Sequence, residues 1–261
     1  MFQVGIIASG SRGNSLVIRS DKGAILVDAG LAGKRIISGL ELMGISPEEL
    51  HGVVISHEHS DHISGAGIIC RKLDIPLYIS PDTYACSSAR IGRLNQETIF
   101  FEHGKAFSIG DLHIIPFASS HDAVESSNFI VRQTNNSSAR LGIATDCGYL
   151  TRLMKERLQD CTTLILESNH DEIKLLEGPY PWHLKQRVKS RQGHLSNRQA
   201  VSVISQVIHP GLKKLILAHL SEKNNTPELA ESEMKRYLSM INHELELYIA
   251  NQHTALSLLD I

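Results

Sequence analysis

Apolar positions along this chain change period repeatedly, and each change marks a candidate element. Residues 2–8, 15–19 and 24–28 alternate or run apolar between punctuation rich in glycine, serine and asparagine, which predicts three strands of an antiparallel meander. Residues 34–43 carry Ile36, Ile37, Leu40 and Met43 at helical spacing, and Ser46-Pro47-Glu48-Glu49 opens a short turn. Gly52-Val53-Val54-Ile55 reads as a buried strand, and Ile63-Ser64-Gly65-Ala66-Gly67-Ile68-Ile69 as the first turns of a helix continuing toward Lys72. A strand at 77–80 follows, then a helix from Pro81 capped by Ser80 or Asp82. A hairpin turns at Gly110-Asp111 between 106–109 and 112–117. Two more strands, 128–133 and 140–145, flank a polar spacer at 134–138 that reads as disordered. Beyond it come a buried strand at 163–166, a helix from a Ser196 cap to about Ile208 and a strand at 214–218. An amphipathic helix at 227–241 and strands at 246–250 and 255–259 complete the pattern. Periodicity alone predicts mixed α and β, with no repeat and no low-complexity segment.

With 261 residues and 42% hydrophobic content, the chain can bury a substantial core as one large domain or two small ones. It has no apolar run of membrane-spanning length and no charged-then-apolar leader at Met1-Phe2-Gln3-Val4, so the expectation is a soluble, unexported protein. Cys70, Cys86, Cys147 and Cys161 lack CxxC spacing and read as free thiols in a reducing cytoplasm. The net charge of −2 is uninformative, but its distribution is not. Between Gly178 and Ser221 there is no acid, while Lys185, Arg187, Lys189, Arg191, Arg198, Lys213 and Lys214 make that region basic against an acidic remainder.

Chemistry concentrates in Ser56-His57-Glu58-His59-Ser60-Asp61-His62, where the strand at 52–55 ends and a helix begins. Imidazole nitrogen and carboxylate oxygen suit Zn, Mn or Fe, and the absence of cysteine argues against a closed structural zinc site. His57 and His59, two apart, project to one side of an extended segment, while Asp61 and His62 turn toward a second point. One loop can therefore feed two adjacent metal ions. A lone histidine among the 14 would read as a surface residue, but four ligand-type residues within six positions behind a buried strand read as a metal site. The early turn Ser9-Gly10-Ser11-Arg12-Gly13-Asn14-Ser15 either presents backbone N–H groups to an anion, with Arg12 reaching a phosphate, or is an ordinary tight turn; on residues alone both readings stand.

At His57-x-His59-x-Asp61-His62 the chain resembles the metallo-β-lactamase-fold hydrolases, whose signature has this spacing at a strand-to-helix junction. The resemblance implies an α/β fold, the αβ/βα four-layer sandwich of two facing mixed sheets flanked by helices, as a single domain over residues 1–261. It also implies the remaining ligands. His121, in Ser119-Ser120-His121-Asp122, joins His57 and His59 on one ion, while Asp61, His62 and His219 hold the other. Asp146, in Thr145-Asp146-Cys147-Gly148, bridges both, as a carboxylate can through its two oxygens. Asp28 supports the metal loop from behind, and Asp122 either orients the His121 ring or is solvated. The implied cofactors are two divalent ions, Zn, Mn or Fe, among which the ligand set does not choose.

Glu167 at a strand end and His194 before a helix resemble the arrangement in tRNase Z, which implies that Glu167 keeps His194 a proton donor beside Asp61 and the metals. His170 competes for that role, and a plain polar residue at a helix start is the other reading of His194. Over most of its length the chain resembles the YycJ/WalJ group of bacterial metallo-hydrolases, related to tRNase Z-like and PhnP-like phosphodiesterases. The matching stretches are Ser9–Ser15, Glu167-Ser168-Asn169-His170-Asp171, 178–187, Gly193-His194-Leu195-Ser196-Asn197 and 219–225. That resemblance implies 5′-to-3′ exonuclease action on DNA and a part in DNA repair. The residues agree in kind: Lys185, Arg187, Lys189 and Arg191 form a basic strip near His194, with Tyr180 or Trp182 to stack on a base, unless the strip is a solvated helix face and those aromatics are core. A small-molecule or cyclic-nucleotide phosphodiesterase would use the same metals without the strip. An RNA-processing nuclease and a non-enzymatic regulatory binding protein are the remaining alternatives, and nothing suggests an acyl pocket.

Overall fold

Two seven-stranded mixed sheets face each other in the computed structural model, which describes residues 1–134 and 136–261. The first opens with an antiparallel meander of β1 (Phe2–Ala8), β2 (Ser15–Ser20) and β3 (Gly23–Val27). It continues in parallel through β4 (Leu50–Val54), β5 (Leu77–Ile79) and β6 (Thr98–Phe100). The crossovers are α1 (Gly33–Leu42), then α2 (Ser60–Ile63) with α3 (Ala66–Leu73), then α4 (Pro81–Ile91). The second sheet repeats the plan. Antiparallel β7 (Phe107–Ile109), β8 (Leu112–Ala118), β9 (Ser127–Gln133) and β10 (Asn136–Ala144) lead into parallel β11 (Thr163–Glu167), β12 (Lys214–Ala218) and β13 (Glu246–Ile249). Its helices are α5 (Arg152–Leu158), α6 (Glu172–Glu177), α7 (Trp182–Lys189), α8 (Asn197–Val207) and α9 (Pro227–Met240). β14 (Leu256–Asp260) returns to the first sheet, antiparallel to β1.

Side-chain alternation distributes each strand over two cores. Ile18, Ile25, Ile165 and Ile216 meet between the sheets with Phe129 and Val131. Their neighbours Val17 and Leu26 pack outward against Ile36, Leu40 and Ile69 of the first helical layer. Leu164, Leu215 and Leu217 pack outward against Ala200, Val203, Ile204 and Met234 of the second. Because both faces of these strands are covered, they read as unbroken apolar runs rather than polar alternation. The result is the four-layer α/β/β/α arrangement that the resemblance implies.

Local signals set the helix starts. The Ser196 hydroxyl accepts from Gln199 N while the Gln199 side chain accepts from Ser196 N, and Thr226 caps α9 ahead of Pro227. Ser80, not Asp82, caps α4. The helix expected from Ile63 to Lys72 is broken into α2 and α3, because Gly65 passes the Leu31 carbonyl so closely that a Cβ there would lie 2.1 Å from its oxygen. Within the expected spacer at 134–138, β10 already begins at Asn136, while Asn135 lies outside the described residues. The short elements β6, α5 and α6 are not expected from the sequence, and α7 is expected only as one of two readings of the basic strip.

Candidate metal centre and the pocket above it

Loops leaving the C-terminal ends of β3, β4, β8, β10, β11 and β12 gather at one edge of the sandwich, because parallel strands end on the same side. Three residues at these ends, Asp28, Asp146 and His219, turn in the left-handed region at φ of 61°, 52° and 56°. For non-glycine residues this costs about 1–3 kcal/mol each, and here it aims the side chains back across the sheet ends.

Among the clusters of side chains able to hold an ion, two coincide with the expected ligand sets. His59 Nδ1 lies 3.2 Å from both His57 Nε2 and His121 Nε2. Asp61 Oδ2 lies 3.6 Å from both His62 Nε2 and His219 Nε2. Asp146 stands between them: its Oδ1 is 3.7 Å from His121 Nε2 and 3.6 Å from His219 Nε2, and its Oδ2 is 3.4 Å from His62 Nε2.

The remaining ring nitrogens are held from behind. Asp28 Oδ1 accepts from Ser56 N at 2.8 Å, and its Oδ2 accepts from the Ser56 hydroxyl at 2.8 Å and from His62 Nδ1 at 2.7 Å. Ser56 Oγ also lies 2.9 Å from His57 Nδ1. His121 Nδ1 faces the Gly193 carbonyl at 3.3 Å, and His219 Nδ1 donates to Glu167 Oε1 at 2.9 Å. Such contacts fix the tautomer and turn Nε2 inward.

The donor set suits a divalent metal. Asp146 Oδ2 and His219 Nε2 are buried with no hydrogen-bond partner among the described residues, which is costly unless something else satisfies them. Burial and neighbouring rings hold His57 well below the usual histidine range. Burial acts the same way on His62, but Asp146, Asp28 and Asp61 outweigh it and raise that ring to about 9. His219 is likewise raised: burial is outweighed by Asp146, Asp61 and Glu167. The carboxylates that raise His62 and His219 place negative charge at the centre, and the lowered ring of His57 keeps a lone pair free beside it; together they suit a cation. Cys147, next to Asp146, is not in these groups; burial and the carboxylates of Glu167 and Asp146 push its thiol up, away from the thiolate a metal needs.

Glu167 is fully buried and receives four donors. His194 Nδ1 at 2.8 Å and His219 Nδ1 share Oε1; the backbone N–H groups of Cys147 and Leu195, each at 3.0 Å, share Oε2. His194 lies 3.7 Å from Asp146 Oδ1 and borders a cavity of about 330 Å³ above the ligands, walled by Ser11, Ser60, Tyr180, Leu184 and Arg187. His170 does not border it: its ring is buried, and that burial lowers it to about 4.

The four basic residues expected to form one strip diverge. Arg187 reaches the cavity and pairs with Asp122, whose own carboxyl is held low: burial opposes ionisation, but the Arg187 hydrogen bond outweighs it. Lys185 and Lys189 lie beside Trp182 along a separate cavity, and Arg191 sits over the Tyr149 ring at 4.2 Å. Arg12 does not line the cavity; it pairs with Glu222 at 2.7 Å. Trp182 is not core, being 64% exposed.

The polar turn at 9–15 has a function that its composition does not reveal. Ser9 Oγ accepts from His219 N at 2.8 Å. Asn14 Oδ1 accepts from Gly10 N at 2.8 Å, its backbone N donates to the Asp61 carbonyl at 2.7 Å, and its Nδ2 lies 3.1 Å from His62 Nε2. The turn thus braces the loops that carry Asp61, His62 and His219. The only sequence signal is an asparagine in a glycine-rich turn, and its partners lie 47 and 48 residues away.

A four-layer sandwich with histidine and carboxylate groups gathered at one edge is the architecture of the metallo-β-lactamase-type metal-site proteins. Residues 8–103 match the metallo-beta-lactamase superfamily. The chain is 36% identical over 267 residues to the exodeoxyribonuclease WalJ of Streptococcus pneumoniae, covering 100% of this chain and 98% of that one. It is also 36% identical over 234 residues to the exodeoxyribonuclease YycJ of Bacillus anthracis, covering 89% and 88%. Among solved structures, the metallo-beta-lactamase fold protein YhfI of Bacillus subtilis superposes with a TM-score of 0.74 at 20% identity, covering 97% of this chain and 98% of that one. The chain therefore belongs to the WalJ/YycJ family of the metallo-β-lactamase superfamily. No helix among the described residues is long and apolar enough to cross a membrane.

Proposed function

We propose that this chain is a metal-dependent phosphodiester hydrolase that acts on DNA from strand ends, as the name exodeoxyribonuclease says of its relatives, and that it works 5′ to 3′ with a role in DNA repair. The observation that carries this reading is Asp146 standing between two three-ligand groups. His57, His59 and His121 would hold one divalent ion, Asp61, His62 and His219 the other, and Asp146 both. Such a pair, when bound, supplies Lewis acidity toward a phosphoryl oxygen and lowers the pKa of water toward neutrality.

The chain's own residues do the rest. Glu167 accepts from His194 Nδ1 and leaves Nε2 to face the pocket, so His194 delivers a proton from that atom to the leaving oxygen. Arg187 moves from Asp122 to a backbone phosphate, a bidentate partner that lysine could not match. Tyr180 and Leu184 form the wall that seats the sugar and base. All 261 residues act as one domain, since the ligands come from both sheets. Four unpaired cysteines suit the cytoplasm.

The test compares metal-reconstituted enzyme on duplex DNA, on RNA of the same sequence and on a chromogenic phosphodiester. Turnover of DNA well above both others supports the reading. Turnover of the small diester alone makes it a small-molecule phosphodiesterase, and RNA preference makes it an RNA-processing nuclease.

A further inference from the structure

The helix α7 has two working faces, and the phosphodiesterase reading uses only one. Leu184, Arg187 and Val188 look into the pocket over the metal ligands. Trp182, Lys185, Gln186 and Lys189 look the other way and, with Leu176 of α6, line a second cavity of about 240 Å³. Trp182 and Leu176 are 64% and 56% exposed, so an indole and a leucine are presented to solvent side by side. Such a patch on an otherwise polar helix marks a contact surface.

Charge selects the occupant. Lys185 and Lys189 are four apart and so stand one above the other on the helix, with Trp182 a turn below Lys185 and Gln186. Among the described residues Lys185 Nζ donates only to the Leu176 carbonyl at 2.6 Å, and neither lysine forms an ion pair. An exposed aromatic face flanked by unneutralised ammonium groups has the composition of a single-strand nucleic-acid site, where bases stack and phosphates follow the cations. Position agrees. A helix is about 10–12 Å across with its side chains, so a strand leaving the pocket beneath Arg187 and passing over α7 reaches Trp182 within a few nucleotides.

Resting on the reading of the metal centre as a phosphodiesterase for DNA, we propose that the outward face of α7 is a single-stranded nucleic-acid subsite, in which a base stacks on Trp182 and adjoining phosphates pair with Lys185 and Lys189. The subsite holds the strand at a distance from the scissile bond. It therefore favours polynucleotides over small diesters and lets a substrate stay bound as its end is shortened.

Trp182 is the only tryptophan in the chain, so its emission reports on this face alone. Metal-loaded protein is titrated with a ten-nucleotide oligothymidylate carrying a hydrolysis-resistant phosphorothioate backbone, and binding is followed in parallel by anisotropy of a dye on the oligonucleotide. The proposal expects saturable quenching of Trp182 that weakens with salt. It also expects about tenfold weaker binding by Trp182→Ala, with a smaller penalty for a dinucleotide, and a shallower salt slope for Lys185→Gln with Lys189→Gln. Trp182 is exposed, so its replacement leaves the core intact. Binding by anisotropy with unchanged Trp182 emission and an unaltered Trp182→Ala affinity overturns the subsite while leaving the metal-centre reading standing. Absence of both binding and DNA hydrolysis overturns that reading and the subsite with it. A blue shift of Trp182 with rising protein concentration, or quenching by an acidic leucine-containing peptide and not by the oligonucleotide, assigns the face to a protein partner and overturns the proposal.

Discussion

His194 Nδ1 lies 2.8 Å from Glu167 Oε1, and the same oxygen accepts from His219 Nδ1 at 2.9 Å. One buried carboxylate therefore orients a pocket histidine and a candidate metal-ligating histidine together. The two residues should fail differently. His194→Ala lowers kcat about 10²–10⁴-fold and leaves metal content unchanged. Glu167→Gln lowers kcat and also weakens metal binding about 10–100-fold, because the His219 ring loses its anchor. Steady-state kinetics beside metal analysis by plasma emission separates them; equal metal content in both variants would mean that Glu167 acts through His194 alone.

Asp61 belongs to one ligand group and Asp146 touches both. After dialysis against weak chelator, Asp61→Ala should keep the ion held by His57, His59 and His121 and lose the other. Asp146→Ala should lose both. Metal-to-protein ratios check this directly, and a strong chelator should abolish hydrolysis until Zn or Mn is restored.

Gly30 is a site of backbone approach. A Cβ there would lie 1.7 Å from the Asp61 carbonyl oxygen, and that carbonyl is already held by Asn14 N at 2.7 Å, so it cannot easily retreat. Gly30→Ala should lower Tm by about 5 °C or more, combining overpacking with displacement of the metal loop. Thermal melts give the number, and an unshifted Tm would show that the loop yields freely.

Burial pushes the Cys70 and Cys161 thiols up to about 12, and burial beside Glu167 and Asp146 raises Cys147 as well. All three stay as unreactive neutral thiols at pH 8, while Cys86 is exposed. A disulfide reagent should therefore titrate one thiol in the native protein and four after unfolding. The sign of the linkage follows: folded-state values above the unfolded one of about 8.5 keep full stability below that pH and lose it as pH climbs toward 12.

What was legible in the sequence was whatever lay close together along it. Four ligand-type residues within six positions at a strand end declare a metal loop without any structure. The distant residues His121, Asp146 and His219 became candidates only through resemblance, since nothing local separates them from other loop residues. The structure adds the left-handed turns at Asp28, Asp146 and His219 that aim them. The basic strip could not be resolved from spacing. Helix α7 has only Trp182, Leu184 and Val188 as apolar positions, too few to fix its phase, so the opposite directions of Arg187 and Lys185 were hidden. Asn14 was invisible for another reason: its partners come from across the fold, and a buried asparagine in a glycine turn looks like any turn residue.

Hydrolysis of DNA from an end, at this centre, is the property to measure first. A duplex labelled at its 5′ end and another labelled at its 3′ end are each incubated with metal-reconstituted enzyme and with Asp61→Ala. The expected result is early release of the 5′ label as short products, late release of the 3′ label, and neither with the variant. Simultaneous release of both labels, internal fragments, or equal release by Asp61→Ala would contradict it.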